Sequence, residues 1–131
     1  MQEIFDMDEL LRLVEERRFR RLKEILNEMN EADIADFIEE LDSEKKVVVF
    51  RMLSKELSSD VFACLAPETQ QHIINSIGDY ELGAIIEDLY VDDAVDMLEE
   101  LPASVVKRVL KIATPETRNL INQFLNYPEN S

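Results

Sequence analysis

The stretch DAVDMLEEL, Asp93 to Leu101, is a near copy of DIADFIEEL, Asp33 to Leu41. A second pair of copies, PETQQHI (Pro67 to Ile73) and PETRNLI (Pro115 to Ile121), points the same way. Both pairs obey one period. When Leu41, Leu53, Leu65, Ile77, Leu89, Leu101, Ala113 and Leu125 are placed in one column, each lies twelve residues after the last. Three and four residues before these anchors stand Ile38 and Phe37, Phe50 and Val49, Phe62 and Val61, Ile74 and Ile73, Ile86 and Ile85, Leu98 and Met97, and Leu110 and Val109; Asn122 beside Ile121 is the exception. Extended backwards, Leu26 and Ile25 precede Met29, and Val14 and Leu13 precede Arg17.

The spacing i, i+1, i+4 is one face of an amphipathic helix. A single continuous helix cannot carry it, because twelve residues at about 100° each would rotate the apolar stripe by about 120° per repeat. The helix must stop and restart. Caps and breakers follow the anchors as this requires: Asp42-Ser43-Glu44, Ser54, Ala66-Pro67-Glu68, Gly78-Asp79, Pro102-Ala103-Ser104 and Thr114-Pro115-Glu116. Helices of about eight to ten residues are unstable alone in water, so each must stack on its neighbours. The expected fold is all-α, a solenoid of short helices with a period of about twelve residues, shorter than the tetratricopeptide, ankyrin or HEAT units. Packing accounts for most of the copied residues. It does not account for polar positions that also recur, such as Asp36 and Asp96.

Composition agrees. The 131 residues are 46% hydrophobic and 33% charged, too apolar for a disordered acidic tail, and with two Gly and four Pro too poor in turn formers for a β protein. The length suits one domain. A formal net charge of −15 argues against a nucleic-acid partner, whose phosphates are held by Lys and Arg. The single Cys64, in DVFACLA, cannot form an internal disulfide and reads as a small buried apolar residue in a reducing compartment. No apolar run approaches the roughly 20 residues that cross a bilayer, and the acidic start QEIFDMDEL is unlike a signal sequence, so the chain reads as soluble. Its end, NQFLNYPENS, reads as the start of a linker within a larger protein.

Catalysis has little to rest on. The sequence has one His, one Cys and no Gly-rich phosphate loop, HExxH, GxSxG or CxxC. His72, in QQHII, lies beside the apolar face and reads as a packing or edge residue. A paired-carboxylate hydrolase would need an apolar pocket to split the pKa values of its acids, and the aromatic positions Phe37, Phe50 and Phe62 fall on the core face instead. An enzyme is not expected.

Charge is segregated. RLVEERRFRRLKE holds Arg12, Arg17, Arg18, Arg20, Arg21 and Lys23, either a contact for anionic headgroups or a nucleotide, or a solvated face with Glu16/Arg20 and Arg20/Glu24 pairs; the second is the plainer reading. From Glu56 to Glu100 there is neither Lys nor Arg, and IIEDLYVDDAVDMLEELP, Ile85 to Pro102, is crowded with acids. Asp92 and Asp96 stand one helical turn apart, with Glu99 and Glu100 continuing that side. Like charges at i, i+4 repel, and the helix dipole at Asp92 and Asp93 offsets only part of that. The face is either solubilising or a cation site. No DxDxDG loop is present for tight calcium binding, whereas magnesium keeps most of its waters and needs only one or two carboxylates, so a weak site shared with another acidic surface is chemically reasonable.

In their order and spacing, EADIADFIEEL, LAPETQQHII, YVDDAVDMLEELP and the terminal NYPENS resemble the cytosolic N-terminal domain of MgtE-type magnesium transporters. The resemblance implies a right-handed superhelix of short helices at the cytoplasmic face of the cell membrane, followed in the whole transporter by CBS domains, a connecting helix and a transmembrane pore, in a homodimer. It implies one domain over 1–131, with N-terminal helices over 1–30, repeated short helices over 31–125, and a linker over 126–131 toward a CBS domain that this sequence does not reach. Regulatory Mg2+ would be held weakly between this domain and the CBS domains, by Asp92 and Asp96 and, on the same face, Asp60; Asp93 neighbours them without a clear role. The implied function is magnesium sensing that gates the pore, without membrane insertion of this segment. A helical protein-interaction scaffold with no metal role is the alternative, since helical segments of flagellar motor switch proteins share such a fold.

Overall fold

A computed structural model describes residues 6–125 of the chain. Among them are ten helices and no strand: α1 (Met7–Glu15), α2 (Phe19–Leu26), α3 (Glu31–Glu39), α4 (Ser43–Arg51), α5 (Lys55–Cys64), α6 (Pro67–Ser76), α7 (Asp79–Asp88), α8 (Val91–Glu100), α9 (Ala103–Ile112) and α10 (Pro115–Phe124). Helix starts fall every twelve residues, from Met7 through Phe19 and Glu31 to Pro115, and from α2 onward each start lies two residues after an anchor of the column. The expected linker over 126–131, with the NYPENS motif, lies outside the described residues.

The joints show why each helix stops. Leu65, Ile77, Leu89, Leu101 and Ala113 have extended backbones, with ψ between 146° and 162°, and so cannot continue an α-helix. Pro67 and Pro115 hold the residue before them out of the helical region and start the next helix at its first position. The expected caps form: Asp42 Oδ1 accepts from Lys45 N at 2.9 Å, Ser54 Oγ from Leu57 N at 3.3 Å, and Thr114 Oγ1 from Thr117 N at 3.2 Å. At Gly78, Glu81 Oε1 reaches back to accept from the glycine N–H at 3.4 Å.

The chain divides into two compact units, one ending at Leu65 and the other beginning at Ala66. In the first, α3 packs on α5 and on α4, and α1 on α2. The rings of Phe50 and Phe62 meet edge to face, centroids 5.9 Å apart. Lys45 Nζ donates to Glu15 Oε2 at 3.0 Å, which raises the lysine pKa above its ordinary value. In the second unit α7 packs on α9 and α8 on α10. Alternate helices therefore pack on each other there, as α3 and α5 do in the first unit. Gly83 serves the α7–α9 packing, since a Cβ there would lie 3.3 Å from Ile112 Cγ2.

The columns are the core. Phe37, Ile38, Val49, Val61, Phe62, Ile73, Ile74, Val109 and Ile121 are fully or almost fully buried, each such side chain contributing about 1.5–3 kcal/mol of transfer free energy. Leu53, Leu89, Leu110 and Leu125 are only half-buried. Two expectations fail. Cys64 is exposed: on α5 it lies one turn after the exposed Asp60, away from the face that buries Phe62. Arg20 pairs with neither Glu16 nor Glu24; Arg18 meets Glu16 at 3.8 Å and Arg21 meets Glu24 at 3.3 Å. The helix that would have aligned Glu16 with Arg20 is broken at Arg17, whose φ is 59°. Arg18 N donates to Leu13 O and Arg17 N to Val14 O, a Schellman closure with arginine where glycine is usual.

Candidate functional site

Among the acidic residues of the second unit, Asp79, Glu81 and Glu87 of α7 are used within the fold. Glu87 accepts from Thr117 Oγ1 at 2.7 Å, from Thr114 N at 3.2 Å and from Thr114 Oγ1 at 3.4 Å, fastening α7 to the start of α10. Asp79 accepts from Arg108 Nη2 at 2.9 Å, and the same guanidinium donates to Ile74 O at 2.6 Å and Ile77 O at 3.0 Å, closing the end of α6. Arg108 lies outside the basic-free span of the sequence and returns to it in space. Nothing in the local charge pattern signalled either contact, because both join residues 27 to 34 positions apart.

Helix α8 is different. Its inner face buries Ala94, Val95, Met97 and Leu98 against the second unit's core. Asp92 and Asp96 are exposed on the outer face and Asp93 is half-buried. None of these three side chains has a hydrogen-bond or ion-pair partner among the described residues. The N-cap of α8 is Tyr90, whose side chain provides no cap, and Asp92 and Asp93 stand in the first turn, where the helix dipole favours negative charge. Asp60, the fourth expected residue, is exposed on α5 of the first unit and also lacks a partner; α8 brings the other three together on one helix.

Among the described residues no three His, Cys, Asp or Glu side chains are gathered so as to hold a metal ion. The arrangement fits a shared magnesium site rather than a cage. Two unpartnered carboxylates one turn apart supply hard oxygen donors in the number that a hydrated Mg2+ needs, and no internal cation competes for them. Both are desolvated little, so an ion held there would keep most of its waters.

An array of short helices that displays unpartnered, exposed Asp92 and Asp96 on one of them is the class of domain that the fold defines, and comparison with known proteins specifies it. The sequence profile of the MgtE intracellular N domain matches residues 29–130. The chain belongs to that family. Among solved structures, the cytosolic domain of the Mg2+ channel MgtE in complex with ATP is similar over 95% of this chain and 51% of its own length, with TM-score 0.79 and 28% identity. The soluble part of a magnesium transporter is similar over the same shares, with TM-score 0.77 and 19% identity, which speaks to fold alone. This chain thus spans about half the length of the solved chains it matches. No curated protein sequence matches it. Among the described residues no helix is long and apolar enough to cross a membrane.

Proposed function

We propose that this domain is the magnesium-sensing arm of a magnesium transporter or channel, acting on the pore through Mg2+ ions shared between its acidic face and CBS domains of the same chain in a homodimer. One observation carries the reading: Asp92 and Asp96 stand exposed, one turn apart and without partners, on a helix whose inner face is core. Charges kept unneutralised by the fold are available to a cation from outside it. At high cytosolic Mg2+, hydrated ions bridge this face, with Asp60 and Asp93 contributing to its negative field, to a second acidic surface and hold the closed state. When Mg2+ falls, the two faces repel and that state loses its support. Weak sites suit a sensor, which must release its ion within the cellular range, and several acting together steepen the response. The single-domain reading over 1–131 belongs to this proposal. No part of it requires the domain to be an enzyme.

The test is Asp92→Ala with Asp96→Ala in the full-length transporter. The expected result is transport that Mg2+ inhibits less, with the fold intact. Wild-type inhibition by Mg2+ would overturn the assignment. The scaffold reading has one observation in its favour: Leu120 and Phe124, one turn apart on α10, are 43% and 59% exposed. If Leu120→Ser with Phe124→Ser, rather than the aspartate pair, abolished the response to Mg2+, that face would be the regulatory contact.

A further inference from the structure

The basic segment is not used by the magnesium reading, and the structure gives it a shape. Arg17, Arg18, Arg20 and Arg21, with Phe19 and Glu24, line a solvent-open cavity of about 360 Å³. Four arginines and one glutamate thus share its lining, in a chain of net charge −15. Glu24 engages Arg21 at 3.3 Å and Glu16 only approaches Arg18, at 3.8 Å. The side chains of Arg17 and Arg20 have no partner among the described residues. Elsewhere the chain employs arginine internally: Arg108 closes α6, and Arg118 donates to Leu110 O at 2.8 Å and Ala113 O at 3.1 Å. The cavity arginines do no such work.

A second feature of the same place acts in the same direction. Helix α2 starts at the cavity, its N-cap is Arg18 with no side-chain acceptor, and its first turn holds no acid. Within the first unit, α1, α3, α4 and α5 are by contrast capped by Asp6, Asn30, Asp42 and Ser54. The open N–H groups of Phe19, Arg20 and Arg21 therefore add hydrogen-bond donors, and the helix dipole adds positive potential, at the mouth of an arginine-lined recess. Arginine rather than lysine matters here, because its planar fork holds phosphate oxygens in pairs. The chain's overall negative charge does not decide against an anion. Charges beyond about 8 Å are screened at physiological salt, so groups in direct contact with a ligand outweigh the distant acids.

We propose that this cavity binds clustered phosphate groups, as carried by a free polyphosphate or by a phosphorylated lipid headgroup. Four adjacent arginines, two of them without partners, favour a multiply charged ligand over a single phosphate. The proposal is independent of the magnesium site on α8.

The test is calorimetric titration of the whole chain with sodium tripolyphosphate in magnesium-free buffer, beside sedimentation with phosphatidylcholine vesicles that contain or lack a phosphoinositide. Arg20→Gln with Arg21→Gln removes two exposed cavity charges; Lys107→Gln with Lys111→Gln removes two exposed charges from α9 and serves as the control. Saturable binding that weakens about tenfold or more in the arginine variant and less than about twofold in the lysine variant is expected. Arg20→Lys with Arg21→Lys, which keeps the charge and loses the fork, is expected to fall between, and guards against a folding artefact. Arginine-dependent response to tripolyphosphate identifies a free anion as the ligand; arginine-dependent binding to phosphoinositide vesicles alone identifies the headgroup. Equal loss in the arginine and lysine variants, or no saturable binding in either assay, would overturn the proposal.

Discussion

Helices α3 and α8 are copies that have been put to different uses. Ile34, Ala35, Phe37 and Ile38 of α3 match Ala94, Val95, Met97 and Leu98 of α8, all eight buried, and each helix packs on the one two places further along, α3 on α5 and α8 on α10. The outer faces part company. At the start of α3, Asn30 Oδ1 accepts from Asp33 N at 2.8 Å and Asn30 Nδ2 donates to Asp33 Oδ2 at 3.0 Å, so the cap and the acid satisfy each other. In α8 the cap position is Tyr90, and Ala32 of α3 is replaced by Asp92. In α3 Asp33 is held by the cap and Asp36 alone stands exposed without a partner; in α8 Asp92, Asp93 and Asp96 all lack one. Packing fixes the inner half of the repeat, and the outer half is free to carry charge for something outside the domain.

That comparison can be broken or sharpened at graded cost. The shared inner faces are expected to be equally indispensable: Phe37→Ala should lower unfolding stability by about 3–5 kcal/mol and Met97→Ala by about 2–5 kcal/mol, read by chemical denaturation. A tolerated substitution at either site would show that the copies are not packed alike. The caps should respond in opposite senses. Asn30→Ala should cost about 1 kcal/mol, and Tyr90→Asn, which gives α8 the cap of α3, should gain about as much. The smallest stability effect should come from the charges: without Mg2+, Asp92→Ala with Asp96→Ala should leave stability unchanged or raise it by about 0.2–0.5 kcal/mol, by relieving i, i+4 repulsion. A loss of more than about 1 kcal/mol there would mean that the acids are structural after all, like Glu87.

The period was legible because it is written in side chains that the core cannot do without. Columns of Ile, Leu, Val and Phe located the buried faces, and Pro67, Pro115, Asp42, Ser54 and Thr114 located the breaks, since capping and proline geometry act within a few residues. The acidic helix was legible as composition. What was not legible depends on distance along the chain. Arg108 reaching back to Asp79 and Glu87 gripping Thr114 and Thr117 divide the acids into neutralised and free, and no local pattern carries that division. The exposure of Cys64 was there to be read in the helical phase, one turn after Asp60 and off the face of Phe62, but its apolar neighbours in sequence pointed the other way. The arginine pairs were missed because α1 ends at Arg17 in a left-handed residue without the glycine that usually signals one.

The central claim is that α8, and not its copy, answers to magnesium. Amide and side-chain NMR shifts of this chain, titrated with Mg2+ and with Na+ at matched ionic strength, test it most directly. The account predicts Mg2+-specific shifts concentrated on Asp92 and Asp96 and much smaller ones around Asp36, the exposed acid of α3 at the position of Asp96. Shifts of equal size on the two helices, or no difference between Mg2+ and Na+, would mean that the face is only a solvated charge surface and would contradict it.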